Sequence, residues 1–257
     1  MRKTALITGA SCGLGYEFSK IFASEGYHLV LVARSEGKLY IMKEKLEKAY
    51  GINVYVCAQD LSKQDAAMRV WEFVQEKQIA VDVLINDAGF GDFGKFANSN
   101  WEKQYDMLQV NITALTQLTH LFMKPMIERR QGKILNLASI AAFMPGPMMS
   151  VYYATKAYVL SFTEALSVEL RGTGVSVTAL CPGPTNTGFA KNAELGKSRL
   201  FKAFENTTAR SIAEYGYETL MTKQVVAVPS RKNKLTLLAV RLLPRRLVRR
   251  FVYLVQK

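Results

Sequence analysis

Short apolar runs alternate with longer helical segments along most of this 257-residue chain, and few folds accept that alternation. Leu6-Ile7 lies in a first apolar run that ends in a Gly-rich turn, after which Phe18, Ile21 and Phe22 recur at helical spacing. Leu29–Val32 reads as a second strand, 36–50 as a charged helix and Val54–Val56 as a third strand. Residues 63–77 read as a helix carrying Met68, Trp71, Phe73 and Val74, followed by a strand at Val83–Ile85. A long helix or helix pair over 100–130, a strand at Ile134–Leu137, a helix over 151–171 and a strand at Val175–Leu180 continue the series. Val225–Val228 completes about seven strands. Strands that are apolar throughout, joined through helices, make βαβ units and a parallel sheet covered on both faces. The expected fold class is α/β, a doubly wound parallel sheet in one domain over 1–230. No internal repeat or composition shift divides it before a basic, amphipathic helical tail at 231–257.

The turn after the first strand reads Thr8-Gly9-Ala10-Ser11-Cys12-Gly13-Leu14-Gly15. Glycines there let the backbone turn tightly and approach a pyrophosphate at a helix N-terminus. A Gly-rich turn alone often only links strand to helix. Its place between the first strand and first helix makes nucleotide binding by Gly9, Ser11, Cys12, Gly13, Leu14 and Gly15 the expectation, in a Rossmann-type sheet. About 18 residues on, an NAD-preferring sheet carries a carboxylate for the ribose 2′-hydroxyl. Here Ala33-Arg34-Ser35 stands instead. A guanidinium fork with no carboxylate beside it suits a 2′-phosphate, so NADP(H) is expected over NAD(H), unless Arg34 is only a solvated loop residue. Asp60-Leu61 follows the third strand and either meets the adenine edge or caps a helix.

Tyr152 and Lys156 stand four apart on an expected helix and project from one face. A phenol titrates at about 10 when unperturbed, and a nearby ammonium lowers that value. Ser139 ends the fifth strand, where a hydroxyl can hold a carbonyl beside the phenol. Asn111 sits midway along the long helix, where a polar side chain can interrupt the ladder and hold a water for a proton relay.

With these residues in place, the chain resembles the short-chain dehydrogenase/reductase family over about 1–190. The family's Thr-Gly-x-x-x-Gly-x-Gly loop is Thr8 to Gly15, its Asn-Asn-Ala-Gly segment is Asn86-Asp87-Ala88-Gly89, and its tetrad is Asn111, Ser139, Tyr152 and Lys156. The resemblance implies Tyr152 as general acid/base, Ser139 as carbonyl anchor, and Lys156 on the nicotinamide ribose and the phenol. It also implies that Asn86, Ala88 and Gly89 border the cofactor, as do the turn Pro182-Gly183 with Thr185, and Thr187 at the nicotinamide amide. Tyr153 is the rival phenol and breaks the Tyr-x-x-x-Lys spacing. Two departures stand out: Asp87 where the family has an Asn that helps pin the central strands, and Cys12 in the loop, open to oxidation. The subgroup resembled contains 3-oxoacyl reductases and hydroxysteroid dehydrogenases, which implies a steroid-like or acyl-chain ketone and a homodimer or homotetramer through 100–130 and 151–171.

Residues 140–149 precede the catalytic helix, so Phe143, Met144, Met148 and Met149 are expected to join Ser139 and Tyr152 along an apolar substrate cleft, or else to be core. A substrate lid is expected over 188–224. The net charge of +13 is uneven: 231–257 holds nine basic residues and no acidic one. From Pro244, Leu247, Val248, Phe251, Val252, Leu254 and Val255 fall on one helical side and Arg245, Arg246, Arg249 and Arg250 on the other. Such a helix either lies on an anionic membrane or docks its apolar side on protein. No nucleic-acid reader motif accompanies it. Three scattered cysteines and two histidines offer no metal-ligand spacing and fit reduced thiols in a cytoplasm. Gly9 to Gly15 cut short any signal-peptide run, and no stretch of about 18 apolar residues predicts a spanning helix. Against the enzyme stand two other readings: an idle NADPH-binding sensor or scaffold, and a membrane-surface module built on the tail.

Overall fold

Seven strands form one all-parallel sheet in the order β3-β2-β1-β4-β5-β6-β7 in the computed structural model, which describes residues 2–185 and 208–256. The strands are β1 (Thr4–Thr8), β2 (His28–Ala33), β3 (Val54–Ala58), β4 (Val83–Asn86), β5 (Gly132–Leu137), β6 (Val175–Leu180) and β7 (Val226–Ala227). Between and after them run α1 (Gly13–Ser24), α2 (Glu36–Tyr50), α3 (Ala66–Glu76), α4 (Trp101–Leu108), α5 (Leu115–Glu128), α6 (Ser150–Glu169), α7 (Ala209–Met221), α8 (Arg231–Leu242) and α9 (Arg245–Gln256).

Strand residues alternate faces, and each face has its own layer of helices. Ala5, Ile7, Leu29 and Leu31 pack with Phe18 and Phe22 of α1, Leu39 of α2 and Ile212 and Leu220 of α7. Leu6, Val30, Val32 and Leu84 pack the other way, onto Val70 and Val74 of α3, Leu118 and Phe122 of α5 and Leu166 of α6. Both faces are therefore dry, which is why β1 and β2 read as continuous apolar runs.

The structure departs from the sequence expectation in four places. The segment expected as one helix or a pair over 100–130 contains a π-helical turn, Gln109–Ala114, between α4 and α5. The helix expected from 63 begins at Ala66, because Asp65 takes a left-handed backbone with φ 59°. Residues 208–221 of the span expected as a lid are not a free cover. Ile212, Ala213 and Leu220 of α7 are buried in the core, and Gly216 packs so closely that a Cβ there would stand 2.8 Å from Phe18 and Leu180. Residues 188–207 of that span, and Thr187, lie outside the described residues. Finally, the helical tail expected over 231–257 is divided into α8 and α9, and Pro244 sits just before α9, its carbonyl accepting from the Leu247 N–H at 2.9 Å.

Candidate active site

Strand order reverses beside β1, since β2 lies on one side of it and β4 on the other. Such a reversal leaves a crevice at the carboxyl ends of the strands. A cavity of about 510 Å³ lies there, bordered by the loop after β1, the end of β2, the segments after β4, β5 and β6, and the tail helices.

One half of the cavity is built from backbone. Gly9, Ser11, Cys12, Gly13 and Leu14 line it, and the first turn of α1 has neither an acidic residue nor a side-chain cap. The N–H groups of Gly13 and Leu14 are thus left for an anion, while that of Gly15 meets Asp87. Gly15 does not reach the cavity. It lies beneath the loop, where a Cβ would meet the Gly9 carbonyl oxygen at 2.5 Å and Asp87 Oδ2 at 2.8 Å. Gly9 itself turns with φ 68°, a conformation that favours glycine. Thr8 ties this loop to the next strand: its hydroxyl accepts from the N–H groups of Asp87 and Ala88, both at 3.0 Å. Arg34 and Ser35 line the far end, with Asp60 and Leu61 close by. Asp60 Oδ1 accepts from the Ser62 N–H at 3.1 Å, closing its turn. An uncapped helix start, glycines that clear the wall and a cationic far end fit a phosphorylated dinucleotide.

The other half is built from side chains. Ser139, Tyr152 and Lys156 all line it. The Ser139 hydroxyl hydrogen-bonds the Tyr152 phenol, and it also accepts from the Ala141 N–H at 3.1 Å. Lys156 Nζ donates to the Leu137 carbonyl at 2.6 Å and stands 5.8 Å from the Tyr152 ring centre. The four-residue spacing on α6 thus does bring phenol and ammonium onto one wall.

Burial governs the charges here. The Tyr152 phenol is pushed well above its ordinary value, chiefly by desolvation, while its bond to Ser139 pulls the other way. The protonated phenol is therefore the resting form. Lys156 is pulled down to about 8 by desolvation, against the pull of Asp87, which favours its charge. Asp87, also buried, is raised to about 7 by desolvation, opposed by Lys156 and by the Gly15 N–H. Two titrations close to neutrality are thus coupled on the cavity wall.

Several expected residues stand elsewhere. Asn111 does not reach the cavity wall. Its side chain is spent on the Phe90 backbone, accepting from N–H at 3.1 Å and donating to C=O at 2.9 Å, and it donates to Thr155 Oγ1 at 3.1 Å. It pins the loop after β4 to α6. Asn86 is also structural, donating to Thr119 Oγ1 at 3.0 Å and Asn136 Oδ1 at 2.9 Å between strands and α5. That pinning was expected of position 87. Ala88, Gly89, Pro182, Gly183 and Thr185 do border the cavity. Met144 and Met149 line it, whereas Phe143 lies in a separate surface groove and Met148, with φ 70°, turns the loop. Sequence reasoning missed Lys38, one helical turn beyond Arg34, and the contribution of Phe251, Val252, Val255 and Gln256 of α9. It also missed what Tyr153 does. That phenol, buried and pushed up to about 12, accepts from Gln256 Nε2 at 2.6 Å and ties α9 to α6.

Residues 3–198 match the family model described as short chain dehydrogenase. The chain is 32% identical over 217 residues to a 17-beta-hydroxysteroid dehydrogenase type 3 of Rattus norvegicus, covering 82% of this chain and 69% of that protein. It is 34% identical over 178 residues to a very-long-chain 3-oxoacyl-CoA reductase of Laccaria bicolor, covering 68% of this chain and 53% of that protein. Among solved structures, a short-chain dehydrogenase from Sphingobium yanoikuyae in complex with NADPH superposes with a TM-score of 0.84 at 29% identity, covering 92% of each chain.

Proposed function

The chain belongs to the short-chain dehydrogenase family and is an oxidoreductase, and from that premise we propose that it interconverts a ketone and a secondary alcohol using NADP(H), with Tyr152 as general acid/base. The observation that carries the reading is the shared cavity, in which Ser139, Tyr152 and Lys156 face the glycine loop. The nicotinamide supplies or accepts the hydride at the carbonyl carbon. Ser139 holds the carbonyl oxygen by hydrogen bonding, and Tyr152 delivers its proton to that oxygen as the alcohol forms. Burial suits this direction, since it keeps the phenol protonated until it is used. Lys156, held to the Leu137 carbonyl, places positive charge beside the phenolate left behind, and its remaining donors would hold the cofactor's ribose. Asn111 acts by positioning, through the loop at Phe90 and through Thr155.

Arg34, Ser35 and Lys38 at the adenosine end favour a 2′-phosphate, because two cations and an uncapped start of α2 face it, while Asp60 at that end is engaged by the Ser62 N–H. The substrate end is apolar, walled by Met144, Met149, Phe251 and Val255 around the polar pair Ser139 and Tyr152. That lining suits a steroid-like or acyl-chain ketone, the kinds of compound named for the two relatives above. No helix of the described residues is long and apolar enough to cross a membrane. The reading puts the protein in the cytoplasm or peripherally at a membrane through 244–257, on its scattered cysteines and basic tail.

The test is cofactor consumption with NADPH and with NADH against steroid, 3-oxoacyl and small aromatic ketones, with Tyr152→Phe alongside. NADPH-dependent turnover that falls by about 10²–10⁴-fold in the variant, with NADPH binding retained, is expected. Tight NADPH binding without turnover of any ketone would instead point to a sensor.

A further inference from the structure

The two tail helices are apolar on two sides, and the cavity uses only one. On α9, Val248, Val252 and Gln256 are 3%, 5% and 2% exposed and face inward against Ala141, Met149 and Tyr153. Leu247, Phe251 and Leu254, spaced by four and three, form a second stripe that is 50%, 61% and 67% exposed. On α8, Asn233 is buried and Leu237 and Val240 pack inward, while Leu235, Leu238 and Leu242 are 67%, 56% and 77% exposed. Eight lysines and arginines and no carboxylate share 231–256 with these side chains.

Between the two helices and the loop at Phe143 lies a groove of about 550 Å³. Phe143, Pro145, Leu237 and Leu238 wall it, and Lys234, Arg241 and Arg245 bring cations to it. An apolar floor with cations beside it matches an acyl chain below an anionic headgroup.

Charge and apolarity together choose the occupant. A nucleic acid would satisfy the cations and strand the leucines. A second copy meeting this face about a twofold axis would set the cations against an identical set, a like-charge contact. An anionic bilayer satisfies both, taking leucine and phenylalanine into the acyl boundary and arginine at the phosphates. We propose that α8 and α9 form a docking face for an anionic lipid bilayer, and that the cavity beneath α9 takes its apolar substrate from that bilayer. The second half rests on the ketone reading above; the first half does not. One helix serves both parts, since Phe251 and Val255 line the cavity while Leu247 and Leu254 lie outside it.

The full chain is spun with vesicles of phosphatidylcholine alone and with added phosphatidylglycerol, at low and at physiological salt. Binding that needs phosphatidylglycerol and weakens with salt is expected. Two variants leave the cavity lining untouched: Leu235→Ser/Leu242→Ser/Leu247→Ser and Arg246→Gln/Arg250→Gln. Each weakens vesicle binding by about tenfold or more, with turnover of a water-soluble ketone unchanged. Circular dichroism guards against misfolding, and the arginine pair stands alone if the leucine variant fails to fold. No partition of the parent chain onto phosphatidylglycerol vesicles at low salt would overturn the docking, as would binding unaffected by both variants. Loss of assembly mass in the leucine variant, without vesicle binding by the parent, would make the face a contact between copies.

Substrate delivery is read separately, with a ketone dissolved in the vesicles and again in detergent micelles. The variants are expected to slow only the vesicle reaction, and equal rates in both would sink delivery. Vesicle binding by a chain that turns over no ketone would overturn the enzymatic reading and leave the docking face standing.

Discussion

Asp87 puts a buried carboxylate against the Gly15 N–H at the cavity wall, with no partner for its Oδ1. Burial favours its neutral form, so the folded chain holds this proton more tightly than the unfolded chain. Stability owed to it therefore falls as pH rises from the ordinary carboxylate range through about 7. Asp87→Asn is expected to gain thermal stability over the parent across that window, and denaturation midpoints at several pH values would show it. A difference that stays constant with pH would refute the assignment. The same substitution removes the charge that supports the Lys156 ammonium, so the alkaline limb of kcat/KM should move to lower pH. At the other end of the cavity, Arg34→Ala/Lys38→Ala should cost about 10–100-fold in NADPH affinity and little in NADH affinity, measured by fluorescence titration. Most of these residues were legible in the sequence. The glycine loop and Tyr152-x-x-x-Lys156 are local patterns whose spacing fixes their geometry. Asn86 and Asn111 were legible as positions and not as roles. Their hydrogen bonds go to Asn136, Phe90 and Thr155, and no local pattern says which partner lies across a sheet.

Elements were legible where a single face is buried. Helix α2 begins and ends where the charged segment at 36–50 does, between the uncapped Ser35 and a left-handed Gly51 with φ 60°. The break in the ladder expected at Asn111 is a π-helical turn, Gln109–Ala114, whose type was not legible because periodicity only blurs when one residue is inserted. The division of the helical tail into α8 and α9 was missed for a different reason: the leucines of α8 point both inward and outward and so display no single stripe. The loop before α6 makes a sharper demand. A Cβ on Gly146 would lie 2.2 Å from the Tyr153 ring, so Gly146→Ala must push that phenol, and the α9 helix bonded to it, out of place. A loss of about 1–3 kcal/mol in stability is expected, with a raised KM for bulky ketones and unchanged NADPH affinity. Calorimetry and steady-state kinetics check both parts, and an undisturbed KM would show that α9 does not wall the cleft.

For the whole molecule, strand count and parallel direction followed from the alternation of runs, since only a sheet covered on both faces uses strands so uniformly apolar. Assembly is a separate matter. Trp101 and Tyr105 of α4 and Tyr158 and Val168 of α6 are 60%, 45%, 38% and 54% exposed, and we expect them to join copies into a homodimer or homotetramer. Light scattering should give that mass for the parent and a smaller one for Val168→Asp; a monomeric parent would exclude it. The position of β1 has a consequence for how the chain emerges during synthesis. Its partner β2 follows at once, but its other neighbour, β4, is made much later, and Thr8 waits for Asp87 and Ala88, 79 and 80 residues on. Until then the nascent chain carries an open edge flanked by Ala5, Leu6 and Ile7, a template for pairing with the wrong strand. Stalled or truncated translation products that stop before Val83 should therefore aggregate and recruit chaperones, whereas chains that have passed Asn86 close that edge on themselves.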